Sequence, residues 1–523
     1  MGRVRFSRSP RARLAQLVVA GVVASAGALA FGAGSAFAGG MVDCAPFGTD
    51  TAADVQTAAN GGGTVTIFGV CAGTVDLTVP VTLQGGTGGA TSGLDATTTP
   101  GAPVIIVEAS ATPVTVRNLL VTGAVNVPGG SNSFGDGGGI WVNSGCAPTT
   151  VNVVGSRVVG NTLTGFDAWG AGLNAECATT LNVTNTVVRG NTAQGVEGNG
   201  AGIVSDRAAA INVSGSTITR NSAGGFGGGI YAGDTVLNVT ASTVSSNTSA
   251  NDGGGIEGFV SDVLVQNSKL SGNVADGYGG GIEYSGPFSS DDGGARPASA
   301  TRVFAHGPQA PAGQHSAPTG VARPALVTVV PPGLTVLDSS VDHNTVLTGA
   351  GGGIDAFDQC SGDVPVAITG STVSFNRTLG TEFDTDSGGG GYSQYADCFT
   401  VSMVATGSTF VGNLARGIVG GGIFNVSYDG TALVTLASTN VASGPPYLNP
   451  NQAEFGGGIF NWDTNSNVTL QSGGNIIHNQ ATVTGGGVFN DCGATLNVAP
   501  GALIMFNMPN QVVTNLGPCL LVD

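Results

Sequence analysis

Basic residues are scarce in this chain. Of 523 residues, 16 are Lys or Arg and 33 are Asp or Glu, so the formal net charge is −17, and Lys269 is the only lysine. Binding to the phosphate backbone of nucleic acid requires a basic surface, and the composition argues against such a partner. Charged residues amount to only 9%, whereas 41% of the residues are hydrophobic. This balance excludes a disordered acidic chain.

Long apolar runs are absent after the N-terminal region. Five arginines between Arg3 and Arg13 precede an apolar run that begins at Leu14, and residues 36–38 have the small-x-small form of a signal-peptidase site. We assign residues 1–38 as a signal peptide, with an uncleaved membrane anchor as the alternative. Beyond residue 38 no apolar stretch reaches the roughly 18 residues that a membrane helix needs. We therefore expect a secreted protein, extracellular or held at the cell surface, with no integral membrane segment after cleavage.

Paired Cys-x-x-Cys spacings are also missing, which argues against a zinc site. Eight cysteines are present, and this number suits disulfides in an oxidising compartment. Two lie near the mature N-terminus, two near the C-terminus, and the other four follow glycine clusters. Although eight cysteines allow about 105 connectivities, this distribution favours pairing in sequence order: Cys44 with Cys71, Cys146 with Cys177, Cys360 with Cys398, and Cys492 with Cys519.

Glycine, by contrast, is abundant and periodic. The chain contains 90 glycines, and many fall in clusters such as the Gly-Gly-Gly-Ile at residues 227–230. Periods of about 20 to 50 residues indicate a solenoid, a propeller or another repeat array. The clusters begin at Gly137, Gly170, Gly200, Gly227, Gly253, Gly279, Gly351, Gly388, Gly420, Gly456 and Gly485.

A second element recurs before most clusters, a Ser or Thr followed five positions later by Asn. Short β-branched runs of period two, such as residues 236–240, lie upstream of it and predict two or three strands in each repeat. The pairs are Ser156 and Asn161, Thr186 and Asn191, Ser216 and Asn221, Ser242 and Asn247, Ser268 and Asn273, Ser339 and Asn344, Ser371 and Asn376, and Ser408 and Asn413.

The repeat length distinguishes between the possible arrays. Several repeats have only 26 or 27 residues, which is too short for a four-stranded propeller blade. The pattern therefore predicts an all-β parallel β-helix, in which equivalent residues lie about 4.8 Å apart on successive coils and Asn side chains hydrogen-bond to the next coil. Residues 51–59 are expected to form a short helix that caps the first coil.

The chain divides into five segments on this interpretation. After the signal peptide, residues 39–135 hold the N-terminal cap and the first coils, and residues 136–286 hold further repeats. Residues 287–332 are rich in Pro and Ala, lack a strand pattern and contain His306 and His315; we expect a disordered insertion. Residues 333–523 hold the remaining repeats and a C-terminal cap.

The repeats resemble a known family. The glycine clusters, together with hydrophobic-x-x-Asn elements such as residues 373–376 and 410–413, resemble the repeats of polymorphic outer membrane proteins. Residues 53–86 resemble the opening coils of pectate-lyase-like right-handed β-helices. The resemblance implies a right-handed parallel β-helix that is secreted or surface-exposed and acts in adhesion.

Aligning the repeats by their glycine clusters brings three acids together. Glu257, Glu283 and Asp355 each follow the apolar residue after a cluster, and they lie on successive coils if the insertion loops out. The alignment places Tyr231 and Tyr392 at either end. Carboxylates stacked about 4.8 Å apart repel one another, so at least one pKa should rise or a cation should bind.

Three interpretations of this column remain open. Its side chains could simply face solvent, because alternation places them opposite the inward Ile residues. They could bind calcium, the one cofactor that the sequence suggests. They could also act as acid and base in a polysaccharide lyase or glycoside hydrolase, one protonating the leaving oxygen while another activates water. Tyr231, Tyr392 and Trp141 are the candidate residues for contacts with sugar rings.

Our first interpretation is non-catalytic. On this interpretation the protein is a monomeric β-helix that acts in adhesion, through contacts with surface glycans or with host or matrix macromolecules. One further prediction concerns Asn425, Asn461 and Asn490, which lie two residues beyond the apolar residue in three repeats and should form an inward-facing ladder.

Overall fold

The computed structural model is a parallel β-helix. It describes residues 40–46, 48–86, 92–125, 127–128, 137–286, 333–358, 360, 362–380, 387–416, 419–442, 449–515 and 519. Within these ranges every named strand belongs to one of four parallel sheets that run along the stack of coils. The sequence-based prediction of fold class is confirmed.

One coil shows the order of the four sheets. The strand Ile230–Gly233 belongs to sheet I, Val236–Thr240 to sheet II, Thr243–Ser245 to sheet III and Thr248–Ser249 to sheet IV. A glycine cluster then leads into the sheet I strand of the next coil, Ile256–Phe259.

The strands of each sheet follow one another in chain order. Sheet I contains Val75–Leu77, Ile105–Glu108, Ile140–Asn143, Leu173–Ala175, Ile203–Asp206, Ile230–Gly233, Ile256–Phe259, Ile282–Ser285, Ile354–Phe357, Tyr392–Ala396, Ile423–Ser427, Ile459–Trp462, Val488–Asp491 and Val512–Thr514. Sheet II contains Met41–Asp43, Gly63–Phe68, Val81–Gly85, Val114–Arg117, Thr149–Val154, Thr179–Thr184, Ala210–Ser214, Val236–Thr240, Asp262–Gln266, Leu334–Leu337, Val364–Thr369, Thr400–Thr406, Thr431–Ala437, Ser466–Leu470 and Thr495–Val498. Sheet III contains Val70–Ala72, Gly93–Asp95, Leu120–Thr122, Arg157–Val159, Val187–Arg189, Thr217–Thr219, Thr243–Ser245, Lys269–Ser271, Ser340–Asp342, Thr372–Ser374, Thr409–Val411, Asn440–Ala442, Asn475–Ile477 and Leu503–Met505. Sheet IV contains Val127–Pro128, Thr162–Thr164, Thr192–Ala193, Ser222–Ala223, Thr248–Ser249, Val274–Ala275, Thr345–Val346, Arg377–Thr378, Leu414–Ala415, Gln452–Phe455 and Gln480–Thr484.

A helix covers the first coils, as predicted. Helix α1 (Ala52–Ala59) begins after Thr51, whose backbone N–H donates to the Asp54 carboxylate at 2.8 Å. Val55 is fully buried on its inner side. A short 3₁₀ turn, Ala96–Thr98, is the other helical element in the described part of the chain.

One column of the core consists of the apolar residues that follow the glycine clusters. Ile230, Ile256, Ile282 and Ile354 pair in register in sheet I, and each is fully buried. Burial of one such side chain contributes about 1.5–3 kcal/mol. The predictions for Glu257, Glu283 and Asp355 and for the Asn ladders depend on this stacking of equivalent residues on successive coils.

The glycine clusters let neighbouring coils approach closely. Gly227 has φ +61°, a conformation that L side chains rarely adopt. A Cβ atom on Gly229 would lie 2.5 Å from the carbonyl oxygen of Gly255 and 2.9 Å from Nδ2 of Asn247. The first glycine is therefore required for the turn, and the third for contact between coils.

The recurring Asn residues form a buried ladder, as predicted. From Asn161 to Asn479, each Asn Nδ2 donates to Oδ1 of the Asn in the next coil at 2.9–3.1 Å. The ladder extends three coils beyond the Ser/Thr–Asn motif of the sequence. Its members are Asn161, Asn191, Asn221, Asn247, Asn273, Asn344, Asn376, Asn413, Asn451, Asn479 and Asn507.

The stack continues across the Pro/Ala-rich segment. Ile282 pairs with Ile354 in sheet I, and Val263 pairs with Leu334 in sheet II. The flanking strands thus occupy adjacent coils, as expected for an insertion. The segment 287–332, with His306 and His315, and the assigned signal peptide lie outside the described residues.

Four disulfides join neighbouring coils. They connect Cys44 with Cys71, Cys146 with Cys177, Cys360 with Cys398, and Cys492 with Cys519, the pairs predicted from the sequence. In the described ranges no helix is both long enough and apolar enough to traverse a bilayer.

Candidate functional site

The three acids lie on adjacent coils of sheet I. Glu257 pairs with Glu283, and Glu283 pairs with Asp355, so these residues form one column, which we call the acid column. The column is not solvent-facing. Glu257, Glu283 and Asp355 are 4%, 6% and 0% exposed, and the interpretation as a simple surface column is wrong.

The glycine turns explain this burial. A Cβ atom on Gly253 would lie 2.6 Å from Oε2 of Glu257, and one on Gly351 would lie 2.7 Å from Cβ of Asp355. The turn that leads into each sheet I strand therefore packs on the outer side of that strand. Strand alternation placed these residues outside the Ile core, but it could not reveal this second layer.

Burial and repulsion by neighbouring carboxylates favour the protonated form of Glu257. Burial is the main cause that raises the pKa of Glu257 well above its usual range, followed by the charge of Glu283 and a hydrogen bond with its side chain. Asp252 and Asp355 raise the pKa of Glu257 further. At the other end of the column, Ser393 Oγ donates a hydrogen bond to Oδ1 of Asp355. Repulsion from the stacked Glu283 thus acts in the expected direction on the pKa of Glu257, as the second cause after burial.

The acid column is also the candidate calcium site predicted from the sequence. In the ranges described above, no three or more His, Cys, Asp or Glu side chains are grouped so that they could hold a metal ion. Calcium binding at Glu257, Glu283 and Asp355 stays a prediction.

Tyr392 does not belong to the column. It pairs with Ile354 and Ile423, so it replaces an Ile in the inner core and is fully buried. Its hydroxyl donates to Oε1 of Gln394 at 2.8 Å. Burial, followed by the charge of Asp355, raises the pKa of Tyr392 well above its usual range. The cluster at Gly388 has a fourth glycine, and this extra residue shifted the sequence alignment by one position. Ser393, which pairs with Asp355, therefore occupies the place in the column that the alignment gave to Tyr392.

The column continues as aromatic residues towards the C-terminus. The rings of Phe424 and Phe460 are 5.7 Å apart, and those of Phe460 and Phe489 are 5.5 Å apart. These three side chains are at most 3% exposed. Within the described residues, this half of the outer side of sheet I forms a second hydrophobic core.

The inward Asn ladder is confirmed. Asn425 Nδ2 donates to Oδ1 of Asn461 at 2.7 Å, and Asn461 Nδ2 donates to Oδ1 of Asn490 at 3.0 Å. All three residues are buried. Their role is structural.

The opposite end of the same side of sheet I is partly exposed. Trp141 and Asn143 lie on the strand Ile140–Asn143, where Ile140 and Val142 face the core. Trp141 Nε1 donates to Oε1 of Glu176 at 2.9 Å, and Asn143 Nδ2 lies 3.2 Å from both carboxylate oxygens of Glu108. These contacts connect the coils before and after the Trp141 strand. We call Glu108, Trp141, Asn143, Glu176 and Asp206 the outer-face cluster.

Tyr231 borders this cluster. Its ring is 5.9 Å from that of Trp169, and it is 9% exposed. A Cβ atom on Gly233 would lie 3.3 Å from the Tyr231 hydroxyl and 3.4 Å from Oδ1 of Asp206. Glycine at position 233 thus leaves room for the Tyr231 ring beside Asp206. Of the predicted ligand-binding residues, Trp141 and Tyr231 lie at one partly exposed region, and Tyr392 lies in the core.

Asp358 was not identified from the sequence. Its carboxylate accepts hydrogen bonds from the backbone N–H groups of Asp397, Cys398 and Phe399 at 3.1, 3.0 and 2.6 Å. Burial raises the pKa of Asp358, whereas these hydrogen bonds lower it. Asp358 holds the loop closed by the Cys360–Cys398 disulfide, a role that no local sequence pattern signals.

Comparisons with known proteins do not assign a family. No protein-family profile and no curated protein matches the sequence. Among solved structures, that of the Dettilon tailspike protein (gp208) shares 11% sequence identity and gives a TM-score of 0.32. The alignment covers 88% of this chain and 68% of the tailspike chain. This likeness does not define a function.

Proposed function

We propose that this protein is a secreted or surface-held, non-catalytic β-helix protein that binds a partner at the cell surface or in the surrounding matrix. The observation that carries the proposal is the enclosure of the acid column. A carboxyl group that acts as general acid or base must come within hydrogen-bond reach of the substrate. Glu257, Glu283 and Asp355 are at most 6% exposed, so a polymeric substrate has no access to them.

The lateral surfaces suit binding instead. On the outer side of sheet II, Asn152, Asn182, Asn212 and Asn238 form a half-buried ladder with hydrogen bonds of 2.9 Å. Their amides repeat at the coil spacing of about 4.8 Å. A rigid surface of regularly spaced, uncharged hydrogen-bonding groups is adapted to a partner that is itself repetitive, such as a polysaccharide.

Export is supported by the disulfides and by the N-terminal sequence. Disulfides persist in oxidising compartments, and here each of four closes a loop of 27 to 38 residues between neighbouring coils. Residues 1–38 have the composition of a signal peptide. We place the mature protein outside the cell.

The test combines binding with turnover. The secreted protein is incubated with intact cells, insoluble matrix polysaccharide, and soluble neutral and acidic glycans. Bound protein is measured by co-sedimentation, and turnover by newly formed reducing ends and unsaturated products. Glu283→Gln is assayed beside the wild type. We expect binding without turnover, equal for the two proteins.

Turnover that the Glu283→Gln variant loses would contradict the proposal. It would favour the alternative of a polysaccharide lyase or glycoside hydrolase that uses the acid column. Absence of binding to every cell and matrix preparation would also overturn the proposal.

A further inference from the structure

The outer-face cluster combines an oriented aromatic ring with hydrogen-bond acceptors. The indole N–H of Trp141 donates to Glu176 at 2.9 Å, so the ring is held in one orientation while it remains partly exposed. An indole offers a large contact area at a low cost in conformational entropy. The apolar faces of sugar rings match such a surface.

Carboxylates of the same cluster are held by neighbouring coils. Asn143 lies 3.2 Å from both carboxylate oxygens of Glu108. Asn143 is one coil from Glu108, and Glu176 lies on the following coil. Carboxylates accept hydrogen bonds from hydroxyl groups, and each can accept several. Glu108, Glu176 and Asp206 can therefore take sugar hydroxyls along the helix axis.

The backbone around Glu176 is rigid. The Cys146–Cys177 disulfide joins the residue after Glu176 to the preceding coil. Ser144 Oγ donates to the carbonyl oxygen of Cys177 at 2.8 Å. A binding residue held by a disulfide and a buried hydrogen bond is preorganised, which lowers the entropic cost of binding.

The charge of the cluster selects the ligand. Glu108, Glu176 and Asp206 are acidic, and the guanidinium of Arg207 lies 3.2 Å from Asp206. Arg207 offsets only one of these three negative charges, so the cluster would repel an acidic ligand. A ligand with hydroxyl donors and apolar ring faces, and without carboxylate or sulfate groups, fits this cluster.

We propose that the outer-face cluster binds a neutral saccharide chain that lies along the helix axis, with a sugar ring stacked on Trp141. This inference rests on the proposed binding function and names its ligand class and its location. Binding requires no bond to form or break.

The experiment measures saccharide binding to the secreted protein by calorimetry and tryptophan fluorescence. The probes are cellohexaose, mannohexaose and maltohexaose, with hexagalacturonate as the acidic counterpart. The variants are Trp141→Ala and Glu176→Gln, and Trp462→Phe is the matched control because Trp462 is 6% exposed in the second hydrophobic core. Thermal melts establish that each variant is folded.

We expect at least one neutral hexaose to bind and hexagalacturonate not to bind. Trp141→Ala should weaken binding about tenfold or more, because a stacked ring contributes on the order of a factor of ten in affinity. Glu176→Gln should weaken binding as well, whereas Trp462→Phe should leave the affinity unchanged. The protein has three tryptophans, and the fluorescence change on binding should disappear with Trp141.

Two results would overturn this inference without affecting the proposed function. One is neutral-saccharide binding that both Trp141→Ala and Glu176→Gln retain. The other is binding to cells or matrix by a protein that binds no neutral hexaose. Absence of binding to cells and matrix would instead remove the proposed function itself.

Discussion

A single buried asparagine can satisfy polar groups on several coils. Asn247 Nδ2 donates to the carbonyl oxygen of Ile218 at 3.1 Å and to Oδ1 of Asn273 at 3.0 Å. Its Oδ1 accepts from both the backbone and the side chain of Asn221 at 3.0 Å. The ladder therefore determines which residues of successive coils lie in register.

Replacement of Asn247 by Ala should reduce stability strongly. The change leaves buried donors and acceptors without partners and should lower the free energy of unfolding by about 3 kcal/mol. Asn238→Ala is the matched control, because Asn238 belongs to the half-buried ladder on the outer side of sheet II; it should cost less than about 1 kcal/mol. Chemical denaturation measures both. Equal costs would contradict a specific role for the buried ladder.

The acid column should make stability depend on pH in a defined direction. Burial raises the pKa of Glu257 in the folded protein, whereas the unfolded chain has the ordinary value of about 4.3. The folded state then binds more protons than the unfolded state between these two pKa values. This contribution to stability is fully present below the unfolded pKa and is lost as the pH rises towards and through the folded pKa.

Glu257→Gln should remove the contribution of Glu257 to the pH dependence of stability. We expect the melting temperature of the variant to exceed that of the wild type by about 2 °C or more at pH 8, with a smaller difference at pH 4. Glu454→Gln, at a half-buried position of sheet IV, is the control and should follow the wild type. Thermal melts from pH 4 to pH 8 give the comparison. A variant less stable than the wild type at pH 8 would contradict the assignment.

At the scale of elements, each glycine turn forms part of two interfaces. Its residues lead into a sheet I strand and also cover the outer side of that strand. A Cβ atom added to Gly228 would lie 2.4 Å from the carbonyl oxygen of Thr248. The glycines are thus required by contacts between elements as well as by backbone conformation.

Two substitutions separate these requirements. Gly229→Ala introduces a contact of 2.5 Å with the carbonyl oxygen of Gly255 and should cost about 3 kcal/mol. Gly190 has φ +62° and no neighbouring atom within 4 Å of an added Cβ, so Gly190→Ala should cost only the left-handed conformation, about 1 kcal/mol. Urea denaturation of both variants tests the ranking. A reversed order would show that backbone conformation dominates over packing.

The whole molecule is organised as a stack in which neighbouring coils make the contacts. Solenoids of this kind tolerate insertions at coil corners, because an insertion there leaves the ladder intact. The pairing of Ser285 with Phe259 and of Leu334 with Val263 places residues 286 and 333 opposite 260 and 262. A single residue between 286 and 333, opposite Ser261, would therefore be enough to complete the coil.

Replacement of residues 287–332 by a single serine should therefore preserve the fold. Shortening a loop changes the closure entropy only slowly, so the free energy of unfolding should stay within about 2 kcal/mol of the wild-type value. Circular dichroism melts and size-exclusion chromatography provide the measurement. Aggregation or a broad, low-temperature transition would show that the segment takes part in the stack.

Much of this architecture could be predicted from the sequence. The glycine period located the coils, and alignment on the glycine clusters, with residues 287–332 treated as an insertion, brought Glu257, Glu283 and Asp355 into register. The same alignment misplaced Tyr392, because a fourth glycine at Gly388 moved the count by one residue. The contacts between Trp141 and Glu176 and between Asp358 and the Cys398 loop were missed, since each depends on side-chain directions across coils.

The sequence by itself determined the repeat, the parallel stacking, the inner Ile and Asn columns and the disulfide pairs, because each follows from periodic spacing along the chain. Only the tertiary structure decided which outward-facing side chains reach solvent. The turn of each coil packs over the outer side of sheet I at the acid column, while the end near Trp141 stays partly exposed. Alternation along a strand predicts which side chains point inward and which point outward. Whether the outward side chains are buried depends on the turn that packs over them, and the sequence of the strand does not specify the position of that turn.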